Sequence, residues 1–216
     1  MAARRLSERH RGRERRRWLP VRVSPIVAAM SDSPVSILGI AGSLRAQSWN
    51  KKLLAAATLL VPPGATITTF DLKDIPLYNE DVRELGYPEP VAAFRAAIEQ
   101  ADAVLFVTPE YNYSVPGVLK NAIDWASRPP APPFGKKPVA TLGASPGMHG
   151  TVRGQTQLRE LCIGLGMYVV PKPEVYVGKA NEKFDAEANL TDEATKKFVA
   201  ELLVNLADFT RTLRGR

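Results

Sequence analysis

A stretch of small, hydroxyl and basic residues that runs straight into a helical pattern is the first candidate binding site. Residues 42–50 read Gly-Ser-Leu-Arg-Ala-Gln-Ser-Trp-Asn. Two hydroxyl groups, a guanidinium and the free N–H groups of a helix N-terminus suit a phosphate dianion. Because the sequence contains neither G-x-G-x-x-G nor G-K-[ST], we predict a monophosphate site rather than a pyrophosphate site. In the alternative interpretation, Ser48 only caps the helix and Arg45 is a solvated loop residue.

Two further loops combine aromatic, amide and small residues. Residues 108–117 read Thr-Pro-Glu-Tyr-Asn-Tyr-Ser-Val-Pro-Gly, and this proline-constrained turn with two tyrosines suits a flat, partly polar ring. Tyr113 and the nearby Trp125 are equally interpretable as packing residues. Residues 143–150 read Gly-Ala-Ser-Pro-Gly-Met-His-Gly, where small residues let the main chain approach a ligand edge and donate N–H groups. His149 could donate a proton there, although a loop histidine without a neighbouring carboxylate is typical of a surface or packing residue.

Short apolar runs alternate with amphipathic stretches from Pro34 onward, which predicts five strands and five helices. The predicted strands are Val35–Ala41, Ala65–Phe70, Ala103–Val107, Pro138–Ala144 and Met167–Val170. The helical stripes lie within 53–61, 91–101, 118–123, 158–165 and 194–209. We expect Ser114 to cap the third helix, with Pro116 in its first turn, and Thr191 to start the last helix.

Alternating strands and helices at this length predict an α/β fold, a three-layer sandwich around a five-stranded parallel sheet. The strand order 2-1-3-4-5 is the common solution for this number of strands. Ligands of such a sheet bind beyond the carboxyl ends of strands 1, 3 and 4, where the order reverses. The three loops follow these strands, so we expect them to form one site.

The charge is distributed unevenly along the chain. The formal net charge is +7, but residues 1–29 hold nine Arg against Glu8 and Glu14, which leaves 20 basic and 20 acidic residues in the remainder. We therefore expect residues 1–33 to form a disordered Arg-rich tail and residues 34–214 to form one neutral domain without a basic face for nucleic acid. Either Met30 is the working start, or the tail is a targeting segment.

Composition excludes several other classes of protein. The apolar runs are too short to span a membrane, so no membrane partner is expected. A single Cys excludes an internal disulfide framework and a Cys-based zinc site, as is typical of a reduced cytosolic setting. With only His10 and His149, a multi-histidine metal centre is excluded as well.

Taken together, the three loops resemble the NADPH-dependent FMN reductase family of flavodoxin-like fold, particularly its quinone and chromate reductase branch. The resemblance covers about Ser36 to Pro173, and its most specific motif is P-E-Y-N-Y-S-V-P-G-V-L-K-N-A-I-D-W. It implies a cytoplasmic homodimer or homotetramer that passes hydride from NADPH or NADH through bound FMN to quinones, free flavin, azo compounds or chromate. The alternative is a flavodoxin-type electron carrier without its own turnover. Such carriers are strongly acidic, whereas this body is neutral.

The resemblance also implies roles for individual residues. The FMN phosphate and ribityl end would be held by Ser43, Arg45, Ser48 and Asn50. The isoalloxazine would be lined by Pro109, Glu110, Tyr111 and Asn112, and its pyrimidine edge contacted by Ser145 and Gly147. Pro76–Asp81 resembles a subunit contact beside a neighbour's flavin, which gives the candidate substrate or subunit contacts Tyr78, Asn79, Asp81, Tyr113 and His149. No catalytic side chain and no metal ligand is expected, because the chemistry belongs to the flavin.

One segment departs from the family pattern. Members usually carry two small residues before the Arg of the fourth helix, where this chain has Thr151 and Val152 before Arg153. Gly154 stands where Ala is usual. We expect the bulkier start of this helix to narrow the flavin edge or to alter access by the substrate.

Overall fold

The computed structural model describes residues 34–215, so the predictions for residues 1–33 and for a start at Met30 lie outside the described residues. Strands and helices alternate along most of the described chain. In order they are β1 Val35–Ala41, α1 Trp49–Leu59, β2 Ala65–Phe70, α2 Glu80–Glu84, α3 Glu89–Gln100, β3 Ala103–Val107, α4 Gly117–Ala126, β4 Pro138–Ala144, α5 Val152–Gly164, β5 Tyr168–Val169, β6 Val175–Val177 and α6 Glu193–Arg214.

The sheet is parallel and has the predicted order, β2-β1-β3-β4-β5, and the first four strands have the predicted bounds. The fifth position differs, because the strand predicted over Met167–Val170 is shortened to β5 and an additional short strand, β6, follows it. Within the described residues, β5 pairs with the start of β4 and β6 pairs with its end. Pro171 and Pro173 separate the two strands, and since proline has no N–H to donate, pairing breaks between them.

The core lies on both faces of this sheet. Helices α1 and α6 cover one face, and α3, α4 and α5 cover the other. The inner strands β3 and β4 are buried along their whole length, which is why they read as continuous apolar runs. Trp125 is fully buried on the face covered by α3, α4 and α5, and it donates its indole N–H to the carbonyl of Pro76 (2.9 Å). Its interpretation as a packing residue is therefore correct.

Two helix starts differ from the predictions. Helix α4 begins after Pro116 without a side-chain cap, and Ser114 instead donates from Oγ to Oε1 of Gln157 (2.6 Å). Helix α6 is capped by Asp192, whose Oδ1 accepts from the Thr195 N–H (2.9 Å), one residue later than expected. Both corrections have the same reason, since each hydroxyl bonds elsewhere: Ser114 to Gln157, and Thr191 to the carbonyl of Lys183 (3.1 Å). The five-residue α2 was not predicted because one turn is too short for an apolar stripe.

The helices and the metal-ligating side chains of residues 34–215 relate to two of the excluded classes. None of the helices in this range is both long and apolar enough to cross a membrane. No group of three or more His, Cys, Asp and Glu side chains in the same range is placed to hold a metal ion.

Candidate functional site

A cleft of about 370 Å3 lies at the carboxyl ends of β1, β3 and β4. All three loops singled out in the sequence contribute to it. Its lining comprises Arg45, Ser48, Trp49, Asn50, Pro109, Glu110, Tyr111, Ala144, Ser145 and Pro146. A larger groove of about 710 Å3 lies beside the edge strand β2, but the predicted binding residues do not line it. The positions of the predicted binding residues therefore favour the smaller cleft as the functional site.

The first loop presents an unusual density of hydrogen-bond donors. The N–H groups of residues 43–47 have no acceptor among the residues that the structure describes. Helix α1 carries no acidic residue in its first turn, so no carboxylate offsets the positive end of its dipole. Ser43 is buried, whereas Arg45 is exposed and donates to the Gln47 carbonyl (2.9 Å). This set of donors fits a bound phosphate.

Ser48 is the N-cap of α1, as the alternative interpretation of this loop expected. Its backbone is extended, and its Oγ accepts a hydrogen bond from the Asn50 N–H (3.2 Å). The same hydroxyl lines the cleft. Because its oxygen accepts from the helix, its proton remains available to a ligand, so capping and binding are compatible.

Asn50 takes a different role from the one implied by the resemblance. Its buried carboxamide donates to the carbonyl of Ala144 (2.9 Å) and accepts from the N–H of the same residue (2.8 Å). This pair of bonds joins the first turn of α1 to the end of β4. Asn50 therefore positions the first loop against the third, and direct contact with a ligand stays a prediction.

The second loop is a tight turn that carries two tyrosines, of which Tyr111 lines the cleft. Tyr111 and Ser114 exchange backbone hydrogen bonds (3.2 and 3.0 Å), and Asn112 and Tyr113 between them have φ of 50° and 65°. Asparagine tolerates this left-handed region better than most residues. Tyr111 and Tyr113 are 48% and 63% exposed, so their rings are accessible to a ligand or a partner.

Glu110 holds the second loop against α5. Its Oε2 accepts from the N–H groups of Arg153 (2.9 Å) and Gly154 (3.0 Å). The negative carboxylate thus lies at the positive N-terminus of that helix, which is a favourable interaction. The Arg153 guanidinium lies 4.3 Å above the Tyr113 ring. Glu110 lines the cleft, but its carboxylate is engaged by the helix, and its contact with the isoalloxazine stays a prediction. Sequence reasoning missed the partner Gln157, which donates to the Tyr113 carbonyl (2.9 Å), because an exposed helical glutamine carries no distinguishing signal.

A model of the NADPH-dependent FMN reductase family matches residues 35–182. The chain belongs to this family. It is 51% identical over 186 residues to an NAD(P)H-dependent FMN reductase of Pseudomonas aeruginosa, covering 86% of this chain and 100% of the relative. It is 41% identical over 188 residues to an NADPH:quinone oxidoreductase of Arabidopsis thaliana, covering 84% and 95%. Among solved structures, it resembles the flavoenzyme NAD(P)H:(acceptor) oxidoreductase of Paracoccus denitrificans, with TM-score 0.76, 35% identity and coverage of 82% and 98%.

Membership in the FMN reductase family confirms the predicted resemblance, fold and enzyme class. The protein is an oxidoreductase with FMN as its cofactor and NAD(P)H as its co-substrate. The electron-carrier alternative is not favoured, because the relatives carry the names of reductases. The donor-rich first loop fits the phosphate of FMN, and the aromatic second loop fits its ring system.

In the third loop, the fold itself uses two of the backbone N–H groups. The N–H of Ser145 donates to the Val177 carbonyl (2.9 Å), and the N–H of Gly147 donates to Ser145 Oγ (3.1 Å). The fold therefore already uses the N–H groups of these two residues, and their contact with the pyrimidine edge stays a prediction. His149 is exposed, and its imidazole makes no hydrogen bond to the part of the chain that the structure describes.

The segment that resembles a subunit contact in FMN reductases lies outside the cleft lining. The Tyr78 hydroxyl donates to Glu80, which raises the pKa of that phenol, and Asn79 caps α2 by accepting from the Asp81 N–H (2.9 Å). The Tyr78 N–H donates to Asn121 (2.8 Å). The structure thus groups Tyr78, Asn79 and Asp81 at the surface, and their contact with substrate or a second subunit stays a prediction.

The departure from the family pattern at Thr151 involves a buried side chain. Thr151 is fully buried and accepts a hydrogen bond from Nε2 of Gln155 (2.9 Å). A Cβ at Gly143 would overlap the Thr151 hydroxyl, so the glycine in β4 provides the room that the threonine fills. Thr151 therefore packs into the core, and an effect of the bulkier helix start on the flavin edge or on substrate access stays a prediction.

Proposed function

We propose that the protein transfers hydride from NADPH or NADH, through FMN held in the cleft, to quinones and related small acceptors. The observation that carries this proposal is the cleft itself, where a phosphate-type donor set faces an aromatic turn across the ends of three strands. When bound, FMN supplies the redox chemistry by accepting and returning a hydride equivalent. The protein's share is to bind the flavin, orient it and leave one face open.

The first loop is assigned to the phosphate and ribityl end. Ser43 and Ser48 donate through their hydroxyls, and Arg45 supplies the positive charge. The N–H groups of residues 43–47, which have no acceptor within residues 34–215, add neutral donors at the positive end of α1. Arg45 is exposed and makes one hydrogen bond, to a neighbouring carbonyl, so it can turn toward an anion at little cost.

The second and third loops are assigned to the ring. Pro109, Tyr111 and Asn112 give a rigid, flat surface beside the isoalloxazine. Ser145 contributes its hydroxyl at the pyrimidine edge, because its N–H is already bonded to Val177. Gly147 has no side chain, so it leaves room for the ring at this edge.

Quinones are the proposed principal acceptors, with free flavin, azo compounds and chromate as further acceptors. The name of the Arabidopsis relative, NADPH:quinone oxidoreductase, supports the quinone assignment. The exposed tyrosines of the second loop provide surfaces on which a flat quinone stacks.

A homodimer or homotetramer in the cytoplasm is proposed as the working form. Leu77 and Leu85 are 86% and 92% exposed on either side of Tyr78–Glu84, and apolar surface of this kind suits a second copy of the chain. The neutral body gives no support to a nucleic-acid partner.

The test is to purify the protein, record its flavin spectrum and FMN content, and follow NADPH and NADH oxidation with menadione. Steady oxidation without any partner reductase is the expected result. FMN binding without turnover would identify an electron carrier instead. Absence of a flavin spectrum, together with no rise in melting temperature on adding FMN, would refute the proposal. Light scattering on the same sample reports the oligomeric state.

A further inference from the structure

The third loop of the cleft packs against a second segment of backbone, which no sequence motif marks. This segment, Val177–Ala180, begins at the last residue of β6. Its contacts with the loop are three main-chain hydrogen bonds: Ser145 N–H to Val177 O (2.9 Å), Lys179 N–H to Gly147 O (3.0 Å) and Ala180 N–H to Ser145 O (3.0 Å). The loop is thus held by groups that no side-chain substitution removes.

Packing between the two backbones leaves no room for a side chain at Gly178. A Cβ there would overlap the carbonyl oxygen of Met148 and lie 2.9 Å from its carbonyl carbon and 3.1 Å from the Gly147 oxygen. Backbone atoms cannot rotate away as the end of a flexible side chain can. Any larger residue at this position must therefore displace the third loop.

The opposite side of the loop is fixed just as firmly. Ala144, the last residue of β4, is bonded twice to the Asn50 carboxamide and pairs in register with Val177 of β6. A loop fixed at Ala144 and displaced at Met148 must change shape between these points. Ser145 and Pro146, which line the cleft, lie in that interval.

We infer that Val177–Ala180 is a positioning element of the flavin site, and that Gly178 is the residue that sets where the third loop meets the flavin ring. The segment acts through the loop and touches no reacting atom. This inference rests on the proposed binding of FMN in the cleft.

The test compares Gly178→Ala with two matched glycine variants. In Gly39→Ala, the new Cβ would lie 2.6 Å from Leu54 and 3.0 Å from Ile67, within the core and away from the third loop, so this variant loses stability without moving the loop. In Gly164→Ala, the new Cβ meets nothing within 4 Å, so it reports the intrinsic effect of replacing glycine. FMN dissociation constants come from flavin fluorescence titration of each apoprotein, alongside its melting temperature and the visible spectrum of its bound flavin.

We expect Gly178→Ala to raise the FMN dissociation constant at least about tenfold and to shift the visible bands of the bound flavin. Gly39→Ala should melt at a lower temperature yet bind FMN within about twofold of the natural chain. Tight FMN binding by Gly178→Ala, with an unchanged spectrum, would overturn the inference while leaving the proposed function intact. If the natural chain itself fails to bind FMN, the proposed function fails first.

A measurement on the natural chain covers the case in which Gly178→Ala does not fold. Hydrogen exchange at the amides of Lys179 and Ala180, which donate to the third loop, is compared with and without FMN. Slower exchange in the FMN-bound protein is expected, because a filled cleft holds the loop on which these bonds depend. Identical exchange in the two forms would overturn the inference.

Discussion

The carboxamide of Asn50 and the backbone of Ala144, 94 residues apart in the chain, exchange two hydrogen bonds at 2.9 and 2.8 Å. The amide thus pairs with the end of β4 much as a neighbouring strand residue would. Through this pair, the donor-rich first loop and the third loop occupy fixed places relative to one another.

Replacing Asn50 with alanine should destabilise the protein and weaken FMN binding together. The change leaves the buried N–H and C=O of Ala144 without partners, which costs about 2–3 kcal/mol in the free energy of unfolding. Urea denaturation and flavin titration measure the two effects. Asn205→Ala, which removes one exposed bond to Lys172, should change stability by less than about 0.5 kcal/mol. Equal stability of the two variants would contradict the assigned role of Asn50.

Replacing Arg45 with alanine should weaken the binding of FMN but not of riboflavin. A charge-assisted contact to phosphate predicts a rise of about 10- to 100-fold in the FMN dissociation constant, and riboflavin has no phosphate to lose. Fluorescence titration with both flavins makes the comparison within one variant. Lys51→Ala is the control, since this cation of α1 pairs with Asp71 outside the cleft. If both flavins were weakened equally, Arg45 would act on the loop rather than on phosphate.

Replacing Thr151 with alanine should affect stability and leave the acceptor kinetics unchanged. The variant removes a buried acceptor for Gln155 and leaves a small void beside Gly143, at a cost of about 1–2 kcal/mol. The KM for menadione should stay within about twofold, because the side chain does not reach the cleft. Thr156→Ala on the exposed side of the same helix is the control. A large change in KM with unchanged stability would support the idea that Thr151 shapes the substrate site.

The stability of the protein at acid pH should depend on Asp102, which precedes β3 at the end of the sheet opposite the cleft. Burial alone would raise the pKa of this carboxyl, but hydrogen bonds from Arg214 and Ser36 outweigh it and lower the pKa below its ordinary value. Its stabilising contribution is therefore present above about pH 4 and is lost as the pH falls through the lowered pKa.

The corresponding variant, Asp102→Asn, should lose about 1–2 kcal/mol at pH 7 and progressively less toward pH 3. Urea denaturation at several pH values measures the difference. Asp124→Asn, which breaks an exposed pair with Lys120, should differ from the natural chain by less than about 0.5 kcal/mol. If the loss in the free energy of unfolding did not depend on pH, Asp102 would stabilise the protein through packing rather than through its charge.

Much of the architecture is predictable because buried parallel strands leave a plain signal. β1, β2, β3 and β4 read as apolar or β-branched runs with clear ends, and their alternation with helical stripes is enough to place the cleft. β6 gives no such signal, since three residues after two prolines resemble a loop. Its pairing with β4 depends on tertiary contacts that no local pattern records.

The residues of the cleft were easier to predict than their partners. Residue type alone pointed to Arg45 and Tyr111, and the structure places both at the cleft. The bond between Asn50 and Ala144 and the close approach at Gly178 involve residues far apart in the chain. Long-range pairing of this kind is decided by the whole fold, so a single sequence does not reveal it.

The main-chain hydrogen bonds of the third loop give the protein a region beside the cleft that tolerates changes of side chain. Met148 is 75% exposed and His149 is also exposed, while the main chain beneath them is held by bonds that ignore side-chain identity. Substitutions at these two positions therefore alter what an incoming molecule meets without unfolding the loop. A saturation library at Met148 and His149 is the natural place to evolve a new acceptor preference.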